Sequence, residues 1–114
     1  MANSEDNFMQ WTNEELDDIV ANYSIVLFMK GSPESPQCGF SSRAANVLQS
    51  FGEEFVSLNV LSAPQAIPNV CQWSDFPTMP QVFIHGELIG GSDIALEMLQ
   101  SGELREMYDS IKSD

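Results

Sequence analysis

The chain has 114 residues, enough for one domain and too few for two. Seventeen acidic residues face four basic ones, Lys30, Arg43, Arg105 and Lys112, for a formal charge of −13. Such a surface repels phosphate backbones and anionic lipid, which argues against nucleic-acid and membrane partners, and no apolar run approaches the roughly 18 residues of a membrane span.

Residues 1–10 read as a loose tail and 11–114 as the domain. Thr12 and Glu15 form a capping-box pattern, and Trp11 with Leu16 suits a hydrophobic staple, so a helix starts there and carries Ile19 and Val20 on its apolar side. Ser24 to Met29 is short, β-branched and aromatic, the pattern of a buried strand. From Gly39 the period becomes helical: Phe40, Ala44, Val47, Leu48 and Phe51 recur at helix spacing, and Gly52 is a natural stop. Phe55 to Val60 is the next strand, and strand–helix–strand over this distance implies a parallel pair with a right-handed crossover.

SAPQAIPNVCQWSD has the composition of a helix packing Ile67, Val70 and Trp73. Pro64 suits a first turn, whereas Pro68 does not fit a helix interior, so the helix is expected to be short and late, with Pro68 near its first turn. Gln81–Ile84 and Leu88–Ile89 are short strands around His85-Gly86, a hairpin signal. Ser92 is expected to cap a helix to about Gln100, Gly102 to break it, and a last helix to cover about 103–111. The order implies an α/β sandwich, a mixed sheet with helices on its faces.

Two cysteines, Cys38 and Cys71, do not make a disulfide framework, and this count fits a reducing compartment. The N-terminal MANSEDNF shows no signal or transit peptide. The expected location is an intracellular reducing compartment, first the mitochondrial matrix as a processed form and second the cytoplasm.

Three stretches carry chemistry. Cys38 stands at the start of a helix, where unpaired amides and the helix dipole favour a thiolate, the reactive and metal-binding form; Lys30 on the same loop adds a positive charge. Ser41 occupies the second position of a C-x-x-C pattern. A serine cannot resolve a mixed disulfide, which leaves one-thiol exchange with an external thiol, or metal ligation. Next, Phe76-Pro77-Thr78-Met79-Pro80-Gln81 places a proline directly before a strand, marking a tight, sometimes cis, turn that frees the Met79 backbone for an extended peptide. Finally, Gly90-Gly91-Ser92-Asp93 lets a ligand approach the backbone at a helix start, where exposed amides favour a carboxylate.

Lys30, Cys38-Gly39-Phe40-Ser41, Thr78-Met79-Pro80-Gln81 and Gly90-Gly91-Ser92-Asp93, in this order over about 11–108, resemble the monothiol glutaredoxins of the CGFS class. The resemblance implies a thioredoxin-like (glutaredoxin) fold with a four-stranded mixed sheet flanked by helices, a cis bond before Pro80, and glutathione binding. It also implies a 2Fe–2S cluster shared by two protomers and held by Cys38 and a glutathione thiol from each. Such a cluster needs four ligands; two protomers and two glutathiones supply them, with Cys71 as the alternative ligand. By the same resemblance Lys30 contacts a glutathione carboxylate and stabilises the Cys38 thiolate. Thr78 and Met79 bind the cysteinyl backbone beside Pro80. Gly91, Ser92 and Asp93 hold the γ-glutamyl end, and Gly39 and Phe40 shape the cluster pocket. The family's usual basic residues in the third helix align with Ile67 and Cys71, and its tryptophan before Pro-Thr with Phe76. These departures suggest a thiol lacking the glycine carboxylate, such as an amide-linked glutathione derivative.

Plainer readings stand beside these. Cys71 reads as a small buried hydrophobe, His85 as an exposed turn residue without metal-ligand partners, Trp73 and Phe76 as packing, and the acidic stretch 13–18 as a solvated face. Ser92 and Asp93 combine capping with ligand binding. The leading expectation is a carrier that assembles and passes a 2Fe–2S cluster to acceptor iron–sulfur proteins, dimeric when loaded and monomeric when empty. The alternatives are a glutathione-dependent oxidoreductase in which Cys38 attacks glutathionylated proteins, and a sensor in which Cys38 and Cys71 form a disulfide.

Overall fold

The computed structural model describes residues 9–112. The elements, in order, are α1 (Asn13–Asn22), β1 (Ile25–Met29), α2 (Gly39–Phe51), β2 (Val56–Asn59), α3 (Ala66–Ser74), β3 (Gln81–Ile84), β4 (Glu87–Gly90), α4 (Ser92–Ser101) and α5 (Glu103–Lys112). The strand order is β2-β1-β3-β4. β1 runs parallel to β2, Val26 opposite Val56, and antiparallel to β3, Phe28 opposite Gln81; β3 and β4 form the antiparallel hairpin.

All five residues of β1 are buried because both faces of the sheet are covered. Alternate side chains enter opposite layers. Ile25, Leu27 and Met29 join Val82 and Ile84 beneath α2, α4 and α5, represented by Leu48, Ala95 and Leu104. Val26 and Phe28 join Phe83 on the other face, beneath α1 and α3, represented by Leu16, Val20 and Val70. The second layer is aromatic: Phe28 packs edge-on against Phe83 and Trp73, with centroids 5.6 and 6.0 Å apart. A fully buried large side chain contributes about 1.5–3 kcal/mol, so these two layers hold the loops at the sheet's ends in place.

The local signals explain the boundaries. Thr12 Oγ1 accepts from Glu15 N at 3.2 Å and Glu15 Oε1 accepts from Thr12 N at 3.1 Å, closing the capping box. Trp11 and Leu16 are both fully buried in the second layer. Pro68 is the third residue of α3, inside the first turn, where its missing N–H has no partner to lose. His85 (φ 50°) and Gly86 (φ 84°) supply the two positive φ values of a two-residue hairpin turn. The expected tail lies outside the described residues except for Met9, packed on the second layer, and Gln10.

Two expectations are corrected. His85 is half-buried rather than exposed, because its ring stacks on Tyr108 at 5.3 Å and its Nε2 lies 2.8 Å from the Tyr108 carbonyl oxygen. Ser92 does not cap α4: Gly91 is the N-cap, and Ser92 is the buried first helical residue.

Candidate functional site

β1 delivers Lys30 to the end of the sheet, and the chain then turns sharply. Gly31 takes φ +89°, and a Cβ there would meet Ser35 O at 2.5 Å, so this turn admits only glycine. Gly31 N donates to Asn59 Oδ1 at 2.9 Å, and Gln37 N returns to Lys30 O at 2.9 Å. The loop thereby presents Cys38 as the N-cap of α2, in extended conformation and half-buried. Its sulfur closes no capping hydrogen bond of ordinary geometry, so the amides of the first turn act on it as oriented dipoles.

The Cys38 thiol is held below its ordinary value. The backbone N–H of Ser41 is the largest cause, opposed by desolvation; the Phe40 N–H, the Ser41 hydroxyl and the Lys30 charge add to the lowering. Ser41 is fully buried, and its Oγ accepts a hydrogen bond from Lys30 N at 3.0 Å. The same hydroxyl is one of the groups that hold the Cys38 thiol down. This role was missed from sequence, where Ser41 counted only as an absent thiol. Cys71 behaves oppositely: half-buried against the second core layer, its thiol is pushed up by desolvation.

Cys38 opens into a cleft of about 690 Å³. Lys30 and Phe40 line it with Cys38 on one side. The loop Phe76-Pro77-Thr78-Met79-Pro80 forms a second wall, with Met79-Pro80 cis as expected. Gly91, Ser92, Asp93 and Ile94 close the third side, and Ile67 of α3 completes the lining. Gly90 sets the entry to α4 at φ +132°, where a Cβ would meet the Ile94 side chain at 3.1 Å. Of the residues assigned to the site from sequence, all but Gly39 line this cleft. Gly39 is exposed beside it and lines a shallow groove with Arg43, Val47 and Leu96.

Other lining residues were not assigned to the site. Phe76 was expected to pack, yet it lines the cleft; its place directly before Pro-Thr was the available signal. Ile94 and Phe40 are exposed by 43% and 58%, an apolar rim beside the thiol. Lys30 is the sole cation among the lining residues, and Ile67 supplies apolar surface where the family pattern leads one to expect a base. Cys71, one helical turn after Ile67, is not part of the lining. Asp93 is engaged already: its Oδ1 accepts from Arg43 Nη1 at 3.2 Å, a pairing across 50 residues that has no sequence signature.

A second cleft, about 760 Å³, lies at the opposite end of the sheet around Tyr23, Gln49, Glu54 and Phe55. It contains no cysteine, so size alone does not mark the chemistry. Among the described residues no group of three or more His, Cys, Asp or Glu side chains is placed to hold a metal ion. No helix among them is long and apolar enough to cross a membrane.

Residues 25–89 match the glutaredoxin family model. A probable monothiol glutaredoxin of Legionella pneumophila is 49% identical over 82 residues, 72% of this chain and 92% of that protein. The chain belongs to the monothiol glutaredoxins. This glutaredoxin superposes on a monomeric truncated mutant of Trypanosoma brucei 1-C-Grx1 with a TM-score of 0.80 at 39% identity, covering 89% of this chain and 92% of that one. A buckwheat glutaredoxin in complex with glutathione gives 0.74 at 25% identity, covering 93% of each chain. The thioredoxin-like fold expected of this glutaredoxin is therefore its fold.

Proposed function

We propose that this glutaredoxin binds glutathione, or a closely related small thiol, in the Cys38 cleft, and that two chains together carry a 2Fe–2S cluster as cargo for iron–sulfur assembly. The observation that carries the reading is a single thiolate-favouring cysteine at the mouth of a peptide-sized cleft, with Ser41 where a second thiol would stand. The buckwheat glutaredoxin in complex with glutathione supports the ligand.

The donor set suits such a cargo. Cys38 offers one half-buried thiol held toward its thiolate, and Cys71 sits outside the cleft with a thiol that burial pushes up. One chain thus supplies one of four ligands, and a second chain with two small thiols completes the set. Lys30 balances anionic charge beside the sulfur. The exposed rim of Phe40 and Ile94 gives two chains an apolar surface to share. Two exchangeable small-thiol ligands let the cysteines of an acceptor iron–sulfur protein displace them in turn. A reducing compartment such as the mitochondrial matrix keeps both thiols in the required state. The apolar Ile67 side of the cleft further suits a thiol whose glycine carboxylate is masked, and comparing affinities for glutathione and its glycine-amidated analogue tests that point; a clear preference for glutathione counts against it.

Anaerobic addition of iron and sulfide, with and without glutathione, decides the main reading. The expected result is a coloured dimer that needs both glutathione and Cys38. Undiminished iron and sulfide uptake by Cys38→Ser would overturn it. Colour without glutathione would assign the remaining ligation to Cys71, and no colour with brisk turnover of a mixed disulfide would replace the carrier by an oxidoreductase.

A further inference from the structure

One wall of the Cys38 cleft is the loop Phe76–Pro80, every residue of which lines it. Two of the five residues are prolines, so the loop has few donors with which to tie itself down. Phe76 N donates to Cys71 O at 3.2 Å. Met79 also buries its side chain in the second core layer, and among the described residues one side chain adds hydrogen bonds to the loop: Gln81 Nε2 donates to Phe76 O and to Thr78 O, at 3.2 Å each. An amide nitrogen has two hydrogens, and both are used.

Gln81 is fully buried and does not line the cleft. It is the first residue of β3, opposite Phe28 of the central strand β1, so its backbone is fixed by the sheet. Its Oε1 is buried and has no partner among the described residues. An orphaned acceptor costs stability, and an apolar side chain of equal length would avoid that cost. The position therefore makes sense through its donor end, which grips the loop. Among the described residues no intramolecular hydrogen bond engages the Met79 backbone N–H or C=O, which leaves both for a ligand.

We propose that Gln81 is the positioning residue of the thiol-binding wall: by gripping the Phe76 and Thr78 carbonyls it sets the Thr78-Met79 backbone in the geometry that meets an extended thiol peptide. The proposal rests on the cleft being the glutathione site. Misplacing a binding wall by about 1 Å is enough to cost a large factor in a positioned step.

The test compares the full reduced chain with Gln81→Met, which keeps length and removes the donors. Expected are a melting temperature within a few degrees of the parent's, since removing the orphaned acceptor offsets the bonds lost to the half-buried Phe76 and exposed Thr78 carbonyls, an unchanged rate of Cys38 alkylation by iodoacetamide, and reduced-glutathione binding weaker by about tenfold or more. Glutathione affinity equal to the parent's overturns the proposal, as does a loss of binding matched by a loss of stability. If the parent itself does not bind glutathione, the site reading fails, and Gln81 is judged on the loop. Broadened Thr78 and Met79 amide resonances in the variant then sustain it, and unchanged ones overturn it. A variant that does not fold leaves a measurement on the parent. The Gln81 side-chain amide hydrogens should exchange about a hundredfold more slowly than those of exposed Gln72, and equal rates overturn the grip.

Discussion

Replacing Ser41 by alanine separates two jobs done by one hydroxyl. Its oxygen accepts the Lys30 N–H at 3.0 Å in a fully buried setting, and the hydroxyl is one of the groups that lower the Cys38 thiol. In Ser41→Ala the Lys30 N–H loses its partner. A buried donor left unsatisfied costs about 1–3 kcal/mol, and partial burial of Lys30 puts the cost near the lower end, about 1 kcal/mol. For a domain of this size that lowers the melting temperature by roughly 4–8 °C. The thiol responds as well: its value rises, because one of the groups lowering it is gone, but it stays depressed, since the Ser41 backbone N–H is the larger cause and alanine retains it. The assay is the rate of Cys38 alkylation by iodoacetamide against pH, read with a melting curve on the same sample. The inflection should move to higher pH without reaching that of a free thiol. Ser42→Ala, next door and half-buried, should leave both readings near the parent's. An inflection in Ser41→Ala identical to the parent's, despite a lowered melting temperature, would refute the hydroxyl's part in holding the thiolate.

Other outcomes follow from the same geometry. Cys38 should alkylate with an inflection below the ordinary thiol range and Cys71 above it; mass mapping of the labelled sites across pH checks the order. The linked stability effects have opposite signs: Cys38 stabilises the fold above the ordinary thiol value and loses this as pH falls through its lowered value, whereas Cys71 destabilises as pH rises past the ordinary thiol value. Denaturant midpoints of Cys38→Ser and Cys71→Ala against the parent should diverge accordingly in alkaline solution. Gly31→Ala should destabilise by about 1–3 kcal/mol or more, since a Cβ would strike Ser35 O at 2.5 Å and the φ of +89° disfavours any side chain; a chemical denaturation midpoint near the parent's would count against this. Phe40→Ala, at a residue 58% exposed, should leave stability within about 0.5 kcal/mol yet weaken glutathione-dependent dimer formation during reconstitution, as read by size-exclusion chromatography.

Much of this was visible in residue patterns because it depends on neighbours in the chain. The Thr12–Glu15 box, the stop at Gly52 and the late start of α3 at Ala66 are set by contacts within four residues. The position of Cys38 before Phe40 and Ser41 is equally local, so a thiol favoured as a thiolate could be read directly. What the residue patterns did not show has a different origin. His85 is half-buried because Tyr108, 23 residues later, lies over it. Asp93 is paired because α2 brings Arg43 across. Neither of these partners is marked by spacing.

A helix entered at Cys38 and a missing second thiol at Ser41 were determined by the order of residues alone, since each is decided by backbone geometry or side-chain chemistry at one place in the chain. The cleft was not. Lys30, Phe76–Pro80 and Gly91–Ile94 reach Cys38 only because helices bury both faces of the sheet around β1 and β3 and so fix these segments at its end. That arrangement is settled by packing between distant segments, and packing energy belongs to the assembled layers rather than to any stretch within them.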